Sequence, residues 1–356
     1  MSDSNTLLSE LERRGVSRRE FVKFCGVMAG ALALPTGAAA EIAQALATVR
    51  KPTLVWMEFQ GCTGDTESFL RASRPTVTDI VLDVLSVDYH ETIMAAAGTN
   101  ATELLKKPKG TYIAVVEGAI PIKDGGVYCM IGGRSAEQIV KEICGNAAAT
   151  IAIGNCAAYG GLPAAKPNPT GAISVAEAVP GIKNLINLPQ CPANVENLTA
   201  TIVHYLTFQS WPALDSQNRP LFAYGKLIHD NCQRRAHFDA GQYVELWGDE
   251  GHRIGYCLYK VGCKGPVAFS NCPNVRWNGG TSWPVESGHP CLGCSEANFW
   301  DKNTPFYRHL ENVDGYGVHA DIDTAGAAGV GVLAAGLAVH GIVAAVRRHK
   351  SDEEQS

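Results

Sequence analysis

Apolar residues follow two textures along this chain. Between residues 51 and 210, short near-continuous apolar runs alternate with amphipathic stretches. Residues 53–59, 110–116, 149–153 and 184–188 read as strands buried on both faces, and 135–147 and 194–205 carry helical spacing. Strands of that kind alternating with helices predict a doubly wound α/β domain, a parallel sheet covered on both sides. From about residue 215 the periodicity fades, and Gly, Pro, Asn, Trp and Cys become frequent. A segment such as 273–293 cannot build a layered core unaided, so something covalent must organise it. No internal repeat of fixed period is present.

Both ends of the chain concern membranes. Arg18-Arg19-Glu20-Phe21-Val22-Lys23 precedes a weak apolar stretch and then Ala45-Leu46-Ala47. A twin arginine, a mildly apolar region and a small-x-small site predict a Tat export signal over 1–47, cleaved after Ala47. At the other end, 325–346 is 22 residues without a charge, roughly 33 Å of helix and enough to span the hydrocarbon core. Arg347-Arg348-His349-Lys350 follows at once. Positive charge stays on the cytoplasmic side, so the main body is expected on the outer, periplasmic face of the inner membrane.

The 356 residues are 46% hydrophobic and 18% charged, as in a globular protein with an apolar appendage. A net charge of −5 offers no basic stripe for nucleic acid. A core this large needs no disulfide staples for its twelve cysteines. The Tat route carries proteins already folded around their cofactors, which also argues against thiols waiting to pair outside.

The candidate chemistry lies in those cysteines. Cys62, Cys156 and Cys191 each follow the end of a predicted strand by three residues. In doubly wound folds the ligand sits beyond the carboxyl ends of the strands, so these three are expected to converge. Farther on come His229, Cys232, Cys257 and Cys263, then Cys272, Cys291 and Cys294. Four ligands with one histidine suit zinc or an iron–sulfur cluster. Three cysteines suit zinc poorly, because a structural zinc site is closed by four ligands; they suit a three-iron cluster. A zinc-stabilised exported protein is therefore a weaker alternative. No nucleophile–base pair, phosphate-cradling loop or dinucleotide fingerprint stands out.

Cys62-Thr63-Gly64-Asp65-Thr66-Glu67-Ser68 resembles the first cluster motif of the small subunit of nickel–iron hydrogenases, where Cys-Thr-Gly-Cys-Thr-Glu-Ser is usual. Met94–Gly98, Val116-Glu117-Gly118, Lys166–Thr170, Arg235–Gly241, Gly255–Lys260, Gly262–Pro266 and Gly288–Cys294 match in order, so the resemblance covers nearly the whole chain. With the export signal and tail it points to the membrane-bound uptake class.

The resemblance implies a flavodoxin-like doubly wound domain (51–214) and an irregular iron–sulfur-cluster domain (215–312). A linker (313–324), a C-terminal transmembrane helix (325–346) and a cytoplasmic tail (347–356) follow. It further implies two 4Fe-4S clusters and one 3Fe-4S cluster. Cys62, Asp65, Cys156 and Cys191 would hold the proximal 4Fe-4S cluster, nearest the nickel–iron centre of a separate large subunit. Cys272, Cys291 and Cys294 would hold the medial 3Fe-4S cluster, with Pro284 where a fourth cysteine would stand. His229, Cys232, Cys257 and Cys263 would hold the distal 4Fe-4S cluster. Electrons from hydrogen would run in that order to a membrane cytochrome b and quinone.

Asp65 departs from the family's cysteine; a carboxylate carries a thiolate's charge but donates less covalently. The extra cysteines of oxygen-tolerant relatives are absent, Gly64 and Gly161 standing in their places. Cys129 and Cys144 read as buried small hydrophobes, and Cys25 belongs to the signal. His340, inside the apolar tail, is a candidate neighbour of the cytochrome's haem. The alternative function is an iron–sulfur relay of a related quinone-reducing complex, which would lack the cysteine-rich region 229–294.

Overall fold

The computed structural model describes residues 17–35, 37–48, 52–72, 86–105, 112–308, 310, 313–315, 318–320 and 331–343. Five strands form one parallel sheet: β1 (Thr53–Glu58), β2 (Ser86–His90), β3 (Tyr112–Glu117), β4 (Ala149–Ile153) and β5 (Leu185–Leu188). Their order is β2-β1-β3-β4-β5, the strand order of flavodoxin-type sheets. Strands β3, β4 and β5 are buried along their whole length, and helices cover the sheet on both faces. One apolar cluster lies on the Trp56, Val115 and Ile151 face, the other on the Val55, Ala114 and Ala152 face. The alternation of β-strand side chains assigns neighbouring residues to opposite sides.

The two amphipathic stretches form helices Ala136–Asn146 and Val195–Phe208. Ser135 caps the first with a reciprocal Ser135/Gln138 box, and Asn194 caps the second through the Glu196 N–H. Two further helices, Arg18–Ala31 and Ala38–Thr48, fall in the region of the predicted export signal, the second running one residue past its end. Cys25, Met28, Ile42 and Leu46 are fully buried, in the same cluster as Leu198, Ile202 and Leu206 of the later helix. The expected cleavage point after Ala47 falls inside the second of them.

The described residues up to Arg308 form one compact unit. Its cysteine-rich part has only one- and two-turn helices and a small core of its own, including Val244, Leu258, Trp283 and Val285 together with Cys272 and Cys291. Residues 309–356 form a second unit. In it Val313–Gly315 pairs antiparallel with Val318–Ala320, inside the stretch expected to be a linker. Residues 331–343 are helical and exposed along their whole length. No described helix is long and apolar enough to cross a membrane. The rest of the expected anchor, 325–330 and 344–346, lies outside the described residues, as does the tail 347–356.

Candidate metal centres

Cys62 and Cys191 lie in the loops after β1 and β5, and Cys156 lies in the short helix Gly154–Tyr159 that follows β4, all three just beyond the strand ends. Burial raises the Cys156 thiol to about 12, and Cys191, Asp65 and Cys62 lie near enough to raise it further. The Cys191 thiol is likewise pushed up to about 12, first by the protein atoms packed around its sulfur and then by Cys294, Asp65 and Cys62, although the residue as a whole is exposed. Four acidic side chains therefore crowd one spot, an arrangement that a cation relieves.

Asp65 is buried among them. Its Oδ1 accepts the Ala193 N–H at 2.5 Å. Burial, then the charge of Glu117, pushes its carboxyl up to about 8, against the pull of the Ala193 N–H. Glu117, at the end of β3, accepts the backbone N–H groups of Asp65 at 3.0 Å and Thr66 at 3.1 Å, the Thr66 hydroxyl at 2.6 Å and the Trp56 indole N–H at 3.2 Å. It holds the Cys62–Asp65 loop against the sheet. Gly154 and Gly161 leave the space. A Cβ on Gly154 would lie 2.0 Å from Asp65 Oδ2, and one on Gly161 would lie 2.5 Å from Cys156 Sγ. Both have positive φ, so glycine is required twice over. A cysteine at 161 has no room beside Cys156 in this backbone.

The second set also converges. His229, Cys232, Cys257 and Cys263 all line one narrow cleft, and Arg234 lies beside them. Burial and then Arg235 lower the His229 imidazole below its ordinary pKa, which keeps it in the neutral form that ligates metals. Sulfurs here receive backbone N–H donors: Arg234 to Cys232 at 3.4 Å and Cys291 to Cys263 at 3.3 Å.

Cys272, Cys291 and Cys294 line a cavity of about 560 Å³, with Cys191 and Pro284 also in its wall. Its lining is largely apolar, Trp283 and Phe299 among it. This set lies between the other two. Cys191 of the first set lines the same cavity as Cys294 on one side, and the Cys291 N–H reaches Cys263 Sγ on the other. All twelve cysteines are free of disulfides. Among the described residues no group of three or more His, Cys, Asp and Glu could hold a single metal ion. Thiolate-rich sets, one of them with three cysteines only, have the donor chemistry of iron–sulfur clusters, whereas a structural zinc site is closed by four ligands.

Polar residues that the spacing of cysteines does not reveal pin these loops. Asn155 donates from its side chain to the Cys294 and Glu296 carbonyls, both at 3.0 Å. Arg219, buried, pairs with Asp215 at 2.7 Å and Glu296 at 3.2 Å. Lys264, also buried, donates from Nζ to the carbonyls of Gly262, Phe306 and Arg308. Asn197 and Asn271 exchange side-chain bonds at 3.1 and 2.8 Å. One signal was present: a carboxamide immediately precedes four of the nine cysteines in the three sets, at Asn155, Gln190, Asn231 and Asn271. Cys144 is buried in the core with its thiol raised by burial to about 12, and Cys129 packs partly buried beside it. His340 is exposed on helix 331–343, within the second unit.

A flavodoxin-type sheet with cysteines at its strand ends, joined to a cysteine-rich part with two more candidate sets, is the architecture of an iron–sulfur electron-transfer protein. Residues 224–307 match the family model for the C-terminal part of the NiFe/NiFeSe hydrogenase small subunit, and 62–205 match that of the NADH ubiquinone oxidoreductase 20 Kd subunit. The chain is 44% identical to the uptake hydrogenase small subunit of Rhizobium leguminosarum bv. viciae, over 100% of this chain and 99% of that one. It is 43% identical to the hydrogenase-2 small chain of Escherichia coli K12, with the same coverage. The structure matches a chain of the Ni-Fe-Se hydrogenase from Desulfomicrobium baculatum with a TM-score of 0.68 and 34% identity, over 73% of this chain and 100% of that one. The chain belongs to the nickel–iron uptake hydrogenase small subunits: iron–sulfur electron-transfer subunits that pair with a large subunit holding the active site. The match at 224–307 covers the region that a quinone-reducing relay would lack, and disposes of that alternative.

Proposed function

We propose that this chain takes electrons from hydrogen oxidised in its large subunit and delivers them through three sites to a membrane cytochrome b and quinone. Cys62, Asp65, Cys156 and Cys191 hold a proximal 4Fe-4S cluster. Cys272, Cys291 and Cys294 hold a medial 3Fe-4S cluster, with Pro284 in place of a fourth ligand. His229, Cys232, Cys257 and Cys263 hold a distal 4Fe-4S cluster. Bound there, the clusters supply one-electron carriers.

The observation that carries this reading is the position of the third set: Cys294 shares a cavity wall with Cys191 of the first set, and the Cys291 N–H donates to Cys263 Sγ of the second at 3.3 Å. The chain's own residues do three things. Backbone N–H groups at Arg234 and Cys291 point at the sulfurs of Cys232 and Cys263 and favour their anionic form. Arg234 and Lys264 place buried positive charge beside the second and third sets, offsetting thiolate charge. Asn155 and Arg219 tie the sheet region to the loop after Cys294.

The remaining parts of the reading concern location. Residues 1–47 act as a Tat signal that exports the folded protein. Residues 325–346 anchor it, leaving the main body on the periplasmic side of the inner membrane. Support comes from the exposed apolar side chains of Val332, Leu333, Leu337 and Ile342, which water solvates poorly and lipid would cover. His340 on that helix faces the cytochrome partner.

The test is a metal count on tagged protein purified gently from membranes. Iron far in excess of zinc, with nickel in a co-purifying larger chain, is expected. Zinc without iron would overturn the reading. Recovery of the full chain in the soluble fraction would remove the anchor.

A further inference from the structure

Gln190 occupies a position that its backbone does not favour. It lies between the end of β5 and Cys191, is fully buried, and has a φ of 137°, in the region that favours glycine. Its main-chain carbonyl accepts the Asn155 N–H at 2.7 Å. The side chain is fixed at both ends. Oε1 accepts the Asn194 N–H at 3.2 Å, and Nε2 donates to Ser270 Oγ at 3.0 Å and to Cys272 Sγ at 2.9 Å. A backbone N–H can only donate, so the amide oxygen must face Asn194 and the NH₂ must face the sulfur. Gln190 also lines the cavity of the third set. It is therefore next in sequence to one ligand of the first set and bonded to a ligand of the third.

We propose that Gln190 is a positioning residue that raises the reduction potential of the cluster held by Cys272, Cys291 and Cys294, which it does by donating an N–H to the Cys272 sulfur. This rests on assigning those three cysteines to a three-iron cluster. Adding an electron makes the cluster and its thiolates more negative. A donor aimed at a ligand sulfur stabilises that state more than the oxidised one. Ser270 and Trp277 also face Cys272 Sγ, so Gln190 adjusts the potential rather than setting it alone. Glycine at 190 would relieve the backbone and delete the donor. The strained residue is explained by the bond it makes.

The test is a mediated redox titration of the whole complex, large subunit included, followed by electron paramagnetic resonance of the three-iron signal. Gln190→Gly removes the donor while easing the backbone, and Gln190→Met removes it at similar volume. Both are expected to lower the midpoint by about a tenfold shift in the one-electron equilibrium, about 59 mV. Iron per chain and the proximal signal should be unchanged. A midpoint that stays put in both variants, with iron retained, overturns the role of Gln190. A wild-type complex with no three-iron signal overturns the cluster assignment, and the inference with it.

Discussion

Residues 53–208 bury a five-stranded sheet between two apolar clusters, whereas residues 224–307 bury turns, short helices and sulfur. In the first region every fully buried strand contributes Val, Ile, Leu or Ala to a core that needs no ligand. In the second, the apolar cluster has nine residues, two of them cysteines proposed to bind iron. A core that small supplies little of the burial that offsets chain entropy. The contrast teaches where stability resides. The sheet region stands on the hydrophobic effect, and the cysteine-rich region is expected to depend on the clusters proposed for it and on buried polar pins.

Withholding iron should separate the two most strongly. Protein made under iron limitation is expected to lose hydrogen-exchange protection across residues 228–294 while Val55, Ala114 and Ile151 stay protected. Equal protection in both regions would break the comparison. Next in size is Arg219→Met. It strands Asp215 and Glu296 without their buried counter-ion and should cost about 3–5 kcal/mol in denaturant unfolding. Ile151→Ala, in the sheet core, should cost about 2–5 kcal/mol yet leave iron per chain unchanged. Loss of iron would mean the two regions share one core.

Smaller effects sharpen the site assignments. Asp65→Cys should give the proximal cluster an ordinary four-thiolate resonance signature with little change in stability; an unaltered spectrum would show that residue 65 is no ligand. His340→Ala should slow quinone reduction a few-fold while dye reduction is spared. Equal loss of both activities would remove its proposed link to the cytochrome.

Much of this was legible in the chain. Strands β1, β3, β4 and β5 are continuous apolar runs, and their ends carried the first three cysteines to one place. Strand β2 was missed, because Ser86-Val87-Asp88-Tyr89-His90 sits at a sheet edge and is buried only at Tyr89 and His90. The three proposed cysteine sets could be drawn up from the chain because cysteine is scarce and its spacing is informative. The pins were not, because a buried amide or guanidinium takes its meaning from partners far along the chain. Asn155 and Cys294 are 139 residues apart, and no local pattern links them. The paired helices at 18–48 illustrate the same limit: a weak apolar stretch reads as an export signal whether or not it has a groove to fill.

One contact made by Asn155 has a dynamical consequence. Electron tunnelling falls off exponentially with the gap between carriers, so a relay works only if the gap does not breathe. Asn155 stands beside Cys156, and its amide grips the Cys294 carbonyl. The hydrogen bond is one residue removed from a proposed ligand at one end and on a ligand's own backbone at the other. In the proposed relay the first gap is thereby clamped by the loops that carry its proposed ligands, and slow rocking between the two regions should leave the tunnelling rate nearly untouched.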